Sequence, residues 1–331
     1  MYSSINSNYS GDSYGWIDIE KQIQNISKAG FTHIQWCHDW EGEYLYCPSE
    51  MLQIRDLLDQ LGIKAHTVHA SEGGIRLKKI KGKTVFVNRY RLTDIRKDYT
   101  SMNEYNRLAG VELLKNRIDL CTYIGASVMV LHMQLPYKMF EESSLDKEKY
   151  YIQVYKSFDE LQSYAKVAGI RIALENLLCT PLHHQDEQFD RMFSRYDEQF
   201  LGFCYDSGHS VLMSRENYYY FLEKYLKRLY ATHLHEADPL PKEMANDDLE
   251  IVKRDKHKIP FTGIINWDIV ADYIAKSPLE LPPDFEVLLR ARTKEKEMKL
   301  LVECRKKAEK FYKMIIRCKD QCSKYNTPSG G

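Results

Sequence analysis

The chain has 331 residues and is 44% hydrophobic, which is enough to bury a large core and lies within the range of one α/β barrel. Lys plus Arg and Asp plus Glu each number 47, so no overall charge draws the protein onto nucleic acid or a membrane surface. The eight cysteines form no Cys-x-x-Cys pair, no apolar run approaches the ~20 residues of a membrane span, and MYSSINSNYSGDS has no signal-peptide pattern, so free thiols in a reducing cytoplasm are expected.

A first strand is expected at about 2–6. The helix WIDIEKQIQNISKAG follows, with Trp16, Ile19, Ile23 and Ile26 at spacings of three and four, and Gly30 stops it before a strand at 31–36. MLQIRDLLDQLG stops at Gly62, before a strand at 63–69. Residues 71–101 then break the rhythm. IRLKKIKGKTVFVNRYRL alternates on both sides of Lys81-Gly82-Lys83 and reads as a hairpin, and 76–97 carries nine basic residues against one acid, Asp94. This basic hairpin leaves the top of strand three, where it would act as a lid over the barrel mouth.

RLAGVELLKNRIDLCTYIG places Leu108, Val111, Leu114, Ile118 and Cys121 on one face and stops at Gly125, before a strand at 127–132. YYIQVYKSFDELQSYAKVAG stops at Gly169, before a strand at 170–175. Glycine recurs at these stops because it closes a helix in the left-handed conformation without steric cost. Further strands are expected at 201–206, 229–235 and 284–288, with a long polar loop over 236–265, a last helix at about 294–317 and a disordered tail at 326–331. The strands are continuous apolar runs, as expected when both sheet faces are covered. Eight alternating units predict an α/β fold, a single (β/α)8 TIM barrel spanning 1–325. A doubly wound open sheet would show a glycine-rich phosphate loop after its first strand, and none is present.

Nine residues of metal-ligand type stand out: His69, His132, Glu175, Asp206, His209, His235, Asp255, His257 and Glu286. KAHTVH ends at His69, VMVLH at His132, RIALE at Glu175, GFCYD at Asp206 and ATHLH at His235. Strand C-termini in a barrel share one cavity, so these side chains should converge. Glu175, Asp206, His235 and Glu286 come from four successive strands, and carboxylates with one imidazole suit a divalent cation such as Mn²⁺, Zn²⁺, Co²⁺ or Mg²⁺. Glu175 ends an apolar run, where a carboxylate must be paired or bound to metal. His233 shares a strand face with His235, and Asp284 shares one with Glu286. His235 is nearer the strand end and is taken as the ligand. In YDSGH, Gly208 permits a turn that brings Asp206 and His209 together.

GFTHIQWCHDW, VLHM, ALENL, CYDSGH, THLHEAD and DKHKIPFTGIINWDIV occur in this order over about residues 16–290. The ordered set resembles the xylose isomerase-like TIM-barrel superfamily, which holds sugar and sugar-phosphate isomerases and epimerases and the endonuclease IV family. The resemblance implies a divalent metal held by Glu175, Asp206, His235 and Glu286. It implies a small-molecule sugar substrate whose proton next to a carbonyl is traded between Glu175 and Glu286, through an enediolate. His69, His132, His209, Asp255, His257 and Trp36 would then bind substrate, and Arg107 or the basic hairpin would receive any phosphate. All nine ligand types also match the three zinc sites of endonuclease IV, whose reading is phosphoester cleavage. A non-catalytic metal- or sugar-binding barrel is a third reading. The loops CHDWEGEYLY and GGIRLKKIKGK are unlike those of the nuclease, and IPFTGIINW fits the isomerases. Nucleic acid and membrane partners are therefore not expected, and homo-oligomerisation stays open.

Overall fold

The computed structural model describes residues 1–11, 15–71, 77–80, 83–86, 96–215, 217–244 and 247–325, with side chains outside 77–86 and 322–325. Eight parallel strands close on themselves: β1 (Ser4–Asn6), β2 (His33–Trp36), β3 (Lys64–His69), β6 (Val128–Leu131), β7 (Arg171–Glu175), β8 (Leu201–Asp206), β9 (Leu229–His233) and β10 (Asp284–Phe285). The order around the barrel is β1-β10-β9-β8-β7-β6-β3-β2, and the pairing of β1 with β2 completes the ring. β8 matches its expected span, the other seven strands are shorter than the sequence suggests, and none lies outside its expected span. β4 (Leu77–Ile80) and β5 (Lys83–Phe86) pair antiparallel as a separate two-stranded sheet. The surrounding 72–76, 81–82 and 87–95, and the expected tail at 326–331, lie outside the described residues.

Helices cover the outside of the barrel. α1 (Trp16–Ala29) buries Ile19, Ile23 and Ile26, and α2 (Pro48–Leu61) buries Met51, Ile54, Leu57 and Leu58. Both end on glycine in the left-handed region, Gly30 at φ 88° and Gly62 at φ 66°. The last helix runs Lys294–Tyr325, longer than the apolar stripe alone indicated. The expected polar loop 236–265 contains a helix, Asp248–Arg254, capped by the Asp247 side chain. No helix among the described residues is long and apolar enough to cross a membrane.

The core lies in two places. Most apolar side chains pack between strands and helices. A smaller set, Val128, Val130, Ala173, Cys204, Tyr230 and Ala231, forms a separate cluster on β6 to β9. With a strand period of two, Val130 precedes His132 on one face, as Ala173 precedes Glu175, Cys204 precedes Asp206 and Ala231 precedes His233. The barrel thus stacks small apolar residues below and ionisable ones above, at the C-terminal face where the strands converge.

Candidate metal and substrate site

Five overlapping groups of donor atoms stand at that face among the described residues, and three of them span it side by side. Within each group, the donor atoms lie within 4.8 Å of one another. The central group is Glu175, Asp206, His233 and Glu286. His69, His132 and Glu175 form a second, and His235, His257 and Glu286 a third. Glu175 and Glu286 are shared, so the three are contiguous.

Glu175 is the hub and is almost wholly buried. His132 Nε2 and His233 Nδ1 each stand 2.9 Å from its Oε2, His69 Nε2 is at 3.7 Å, and His209 Nδ1 lies 3.4 Å from Oε1. Burial would raise the Glu175 pKa, but the facing His132 and His233 outweigh it and hold the carboxyl well below its ordinary value. Burial, with the neighbouring His132, pushes His69 well down, so its imidazole is neutral and offers a lone pair.

Of the two histidines of ATHLH, His235 joins His257 and Glu286 in the third group. His233, not His235, joins Glu175, Asp206 and Glu286 in the four-donor group. β9 ends at His233, which sits in register with Asp206 of β8 and Asp284 of β10. Beyond it the chain leaves the sheet, so the two-residue repeat that puts both rings on one face no longer applies. His235 instead meets Asp206 Oδ2 at 3.0 Å and stacks on His257, with ring centres 4.0 Å apart and planes at 6°. Gln35, buried on β2, puts its side-chain amide 2.5 Å from His233 Nε2. Gln35 Oε1 makes no hydrogen bond, and a half-turn of the amide lets it accept from Nε2–H. Nδ1 is then left facing Glu175 and, at 3.4 Å, Glu286.

Asp206 and His209 are joined as expected, but not by a glycine turn. Asp206 caps the helix Ser207–Met213, accepting from the His209 backbone N–H at 2.7 Å. Gly208 is needed for close approach: a Cβ there would lie 2.0 Å from His235 Cε1. Asn176 fixes the strand ends, donating to the Asp206 carbonyl and accepting from the Asp206 N–H. His257 Nε2 lies 3.0 Å from Asp255 Oδ2, and His209 Nε2 is at 3.7 Å. Burial would lower His257, but Asp255 overrides it and lifts the ring to about 10. His257 is held at φ 45°, an uncommon backbone state for a side-chain-bearing residue.

The other candidates separate. Trp36 is fully buried, and its Nε1–H donates to Tyr46 Oη at 3.1 Å, so it walls a neighbouring cavity and does not face Glu175. Trp40, which the sequence reading passed over, has its ring 4.9 Å from His69 and 5.9 Å from His132. Its signal was the second aromatic of WCHDW. Arg107 is not a phosphate receiver. It is buried and paired with Glu104 and Glu160 at 2.6 and 2.8 Å, with Ser157 accepting a further bond. Asp284 sits lower in the barrel, bound by His66 at 2.6 Å and by Thr67 at 2.8 Å, which leaves Glu286 as the donor at the mouth.

The donor set fits a divalent cation. Both Glu175 oxygens, His233 Nδ1, His235 Nδ1 and Asp255 Oδ1 are buried without a hydrogen bond of good geometry among the described residues, a costly state for polar atoms unless a cation receives them. Carboxylates with one imidazole in the central group suit a hard or borderline ion.

Residues 23–303 match the family described as xylose isomerase-like TIM barrel. The chain is 32% identical over 276 residues, 82% of each chain, to Uncharacterized protein y4fM of Sinorhizobium fredii (strain NBRC 101917 / NGR234). Its fold is similar to that of a D-tagatose 3-epimerase-like protein (18% identity, 96% of this chain and 99% of that one, TM-score 0.65). It is similar also to L-ribulose 3-epimerase (13%, 100% of each, TM-score 0.65) and to the 3-keto-D-glucoside 4-epimerase YcjR from E. coli (14%, 92% and 100%, TM-score 0.59). A family match over most of the chain, on a closed parallel barrel with its ionisable residues gathered at one mouth, has one consequence: the chain belongs to the xylose isomerase-like TIM-barrel family.

Proposed function

We propose that the protein is a divalent-metal-dependent sugar isomerase or epimerase, with Glu175, Asp206, His233 and Glu286 holding the ion. The observation that carries this reading is the four-donor group, drawn from four adjacent strands. The cation would polarise a carbonyl and the neighbouring hydroxyl of the sugar. Glu175, held ionised by its histidine neighbours, accepts the proton next to that carbonyl, and Glu286 returns one from another direction. His209 and His257 donate hydrogen bonds to substrate oxygens, and Trp40 covers the His69–His132 side and excludes water. The fold neighbours whose names state epimerase activity support the same class.

The test is solvent exchange. Metal-loaded protein in D₂O should place deuterium on a carbon of a ketose or aldose panel, and chelation should stop it. Glu175→Gln should abolish exchange and weaken metal binding together, because an amide is a poor ligand and no base at neutral pH. Full metal content with near-normal exchange in that variant would show that Glu175 has been misassigned.

A second reading has its own observation: three contiguous donor groups sharing Glu175 and Glu286 could hold more than one ion. That is the arrangement a polynuclear zinc phosphoesterase needs. Cleavage of a duplex containing an abasic site, together with several zinc ions per chain, would favour it over proton transfer.

A further inference from the structure

Next to the donor groups lies a cavity of about 400 Å³, between the starts of α1 and α2 and the chain that follows β2. Its walls are strongly aromatic. Trp16 and Trp40 contribute indoles, and Tyr44 and Tyr46 contribute phenols. Asp39 takes the left-handed conformation, φ 56°, where the chain turns from β2 into the Trp40 loop. Trp40 is common to both spaces: it lines the cavity and its ring lies against His69 at a tilt of 48°. A molecule of sugar size with one end in the cavity would therefore meet the donor groups on their His69–His132 side.

The charge of this lining is one-sided. Asp39, Glu41 and Glu50 line it, and no Lys or Arg does among the described residues. Arg117 offsets only part of that charge, its guanidinium attracting the Asp39 carboxylate. It lies behind the wall, 4.8 Å from the Tyr46 ring, and donates to Asn116 Oδ1 and to the carbonyls of Asp39 and Tyr44. Glu50 is engaged at the start of α2, accepting from the Cys47 N–H and from Tyr44 Oη. Asp39 accepts one bond, from Tyr46 Oη at 2.8 Å. Asp39 and Glu41 are exposed and keep acceptor capacity toward the cavity.

Aromatic faces lined, among the described residues, by more carboxylates than cations attract an ammonium group through the ring quadrupoles and through Coulomb attraction. The same lining repels a phosphate, which carries like charge. Building on the metal-dependent sugar reading above, we propose that this compartment receives an ammonium-bearing part of the substrate. The molecule turned over is then an amino-substituted sugar or polyol and not a sugar phosphate.

The probes are D-glucosamine, D-glucose, D-glucose 6-phosphate and tetramethylammonium, titrated into the full chain at pH 6.5 and followed by tryptophan fluorescence and calorimetry. Glucosamine should bind at least tenfold tighter than glucose, glucose 6-phosphate should bind weakest, and tetramethylammonium should compete with glucosamine. The preference should survive chelation, since no cavity carboxylate belongs to the donor groups. Asp39→Asn, which tolerates the left-handed backbone, and Glu41→Gln should each cut the preference several-fold, and Glu41→Lys should favour the phosphate. Equal binding of glucosamine and glucose, tighter binding of the phosphate by the unaltered protein, or a preference untouched in the Asp39→Asn/Glu41→Gln double variant would each overturn the proposal. Deuterium exchange separates the two claims. An ammonium preference without exchange on any sugar sinks only the reaction, and exchange without the preference sinks only the compartment.

Discussion

At the scale of single residues, the site depends on which atom of each ring is free. His233 illustrates this, because one nitrogen meets Gln35 and the other faces the carboxylates. Gln35→Leu keeps the volume and removes the acceptor, so the ring loses its fixed tautomer and orientation. Metal affinity should fall about 10- to 100-fold, the range usual for loss of a partner behind a metal-binding histidine. Calorimetric titration of the apo-protein with Mn²⁺ or Zn²⁺ checks it, and unchanged affinity would remove Gln35 from the site. His38 makes a different point. Burial drives its pKa from 6.5 to about 3. A base depressed in the folded state leaves stability intact above pH 6.5. Below that the unfolded chain binds a proton that the folded chain refuses, so stability falls until about pH 3. The slope from this residue is about 1.4 kcal/mol per pH unit. His38→Gln should therefore flatten the urea-denaturation profile between pH 6 and 4 relative to the parent. Parallel profiles would show that His38 takes up its proton without unfolding.

At the scale of elements, the strand count, the helix stops and the strand-end donors were legible because each has a period. Apolar runs gave the strands, spacings of three and four gave the helices, and Glu175 and Asp206 each stand at the end of an apolar run. What was not legible depended on where a period stops. Nothing in ATHLH says that β9 ends at His233, so the sequence could not show that His233 joins the four-donor group while His235 joins a flanking one. Arg107 looked like a free cation because its partner Glu160 is on another helix, 53 positions away. Gly208 was read as a turn residue, whereas its neighbour across space is the His235 ring. That neighbour sets the sign of Gly208→Ala. Helix propensity alone would favour alanine by about 1 kcal/mol. A Cβ at 2.0 Å from a fully buried ring cannot be accommodated without moving His235, and overpacking costs about 1–3 kcal/mol. The melting temperature should fall, and the His235–Asp206 contact should be lost with it. A rise in melting temperature would mean that His235 swings aside freely.

At the scale of the whole molecule, the barrel gathers ligands from strands far apart in sequence, and the open question is how many ions they hold. The central group has three carboxylates and one imidazole, whereas each flanking group has two imidazoles and borrows a carboxylate from the centre. Two dications sharing a carboxylate repel each other, and a second ion must overcome that repulsion with weaker donors. One tightly held ion per chain is therefore expected, with the flanking histidines left to bind substrate. His132→Ala should then lower turnover and leave the metal content near one, even though His132 Nε2 stands 2.9 Å from Glu175. If the flanking groups fill as well, zinc should approach three per chain and His132→Ala should release part of it, because the imidazole would be a direct ligand. Elemental analysis of the parent and His132→Ala after dialysis, side by side, separates the two. Three zincs retained by the parent, with one lost from the variant, would move the chemistry of this mouth from proton transfer on a sugar to cleavage of a phosphoester.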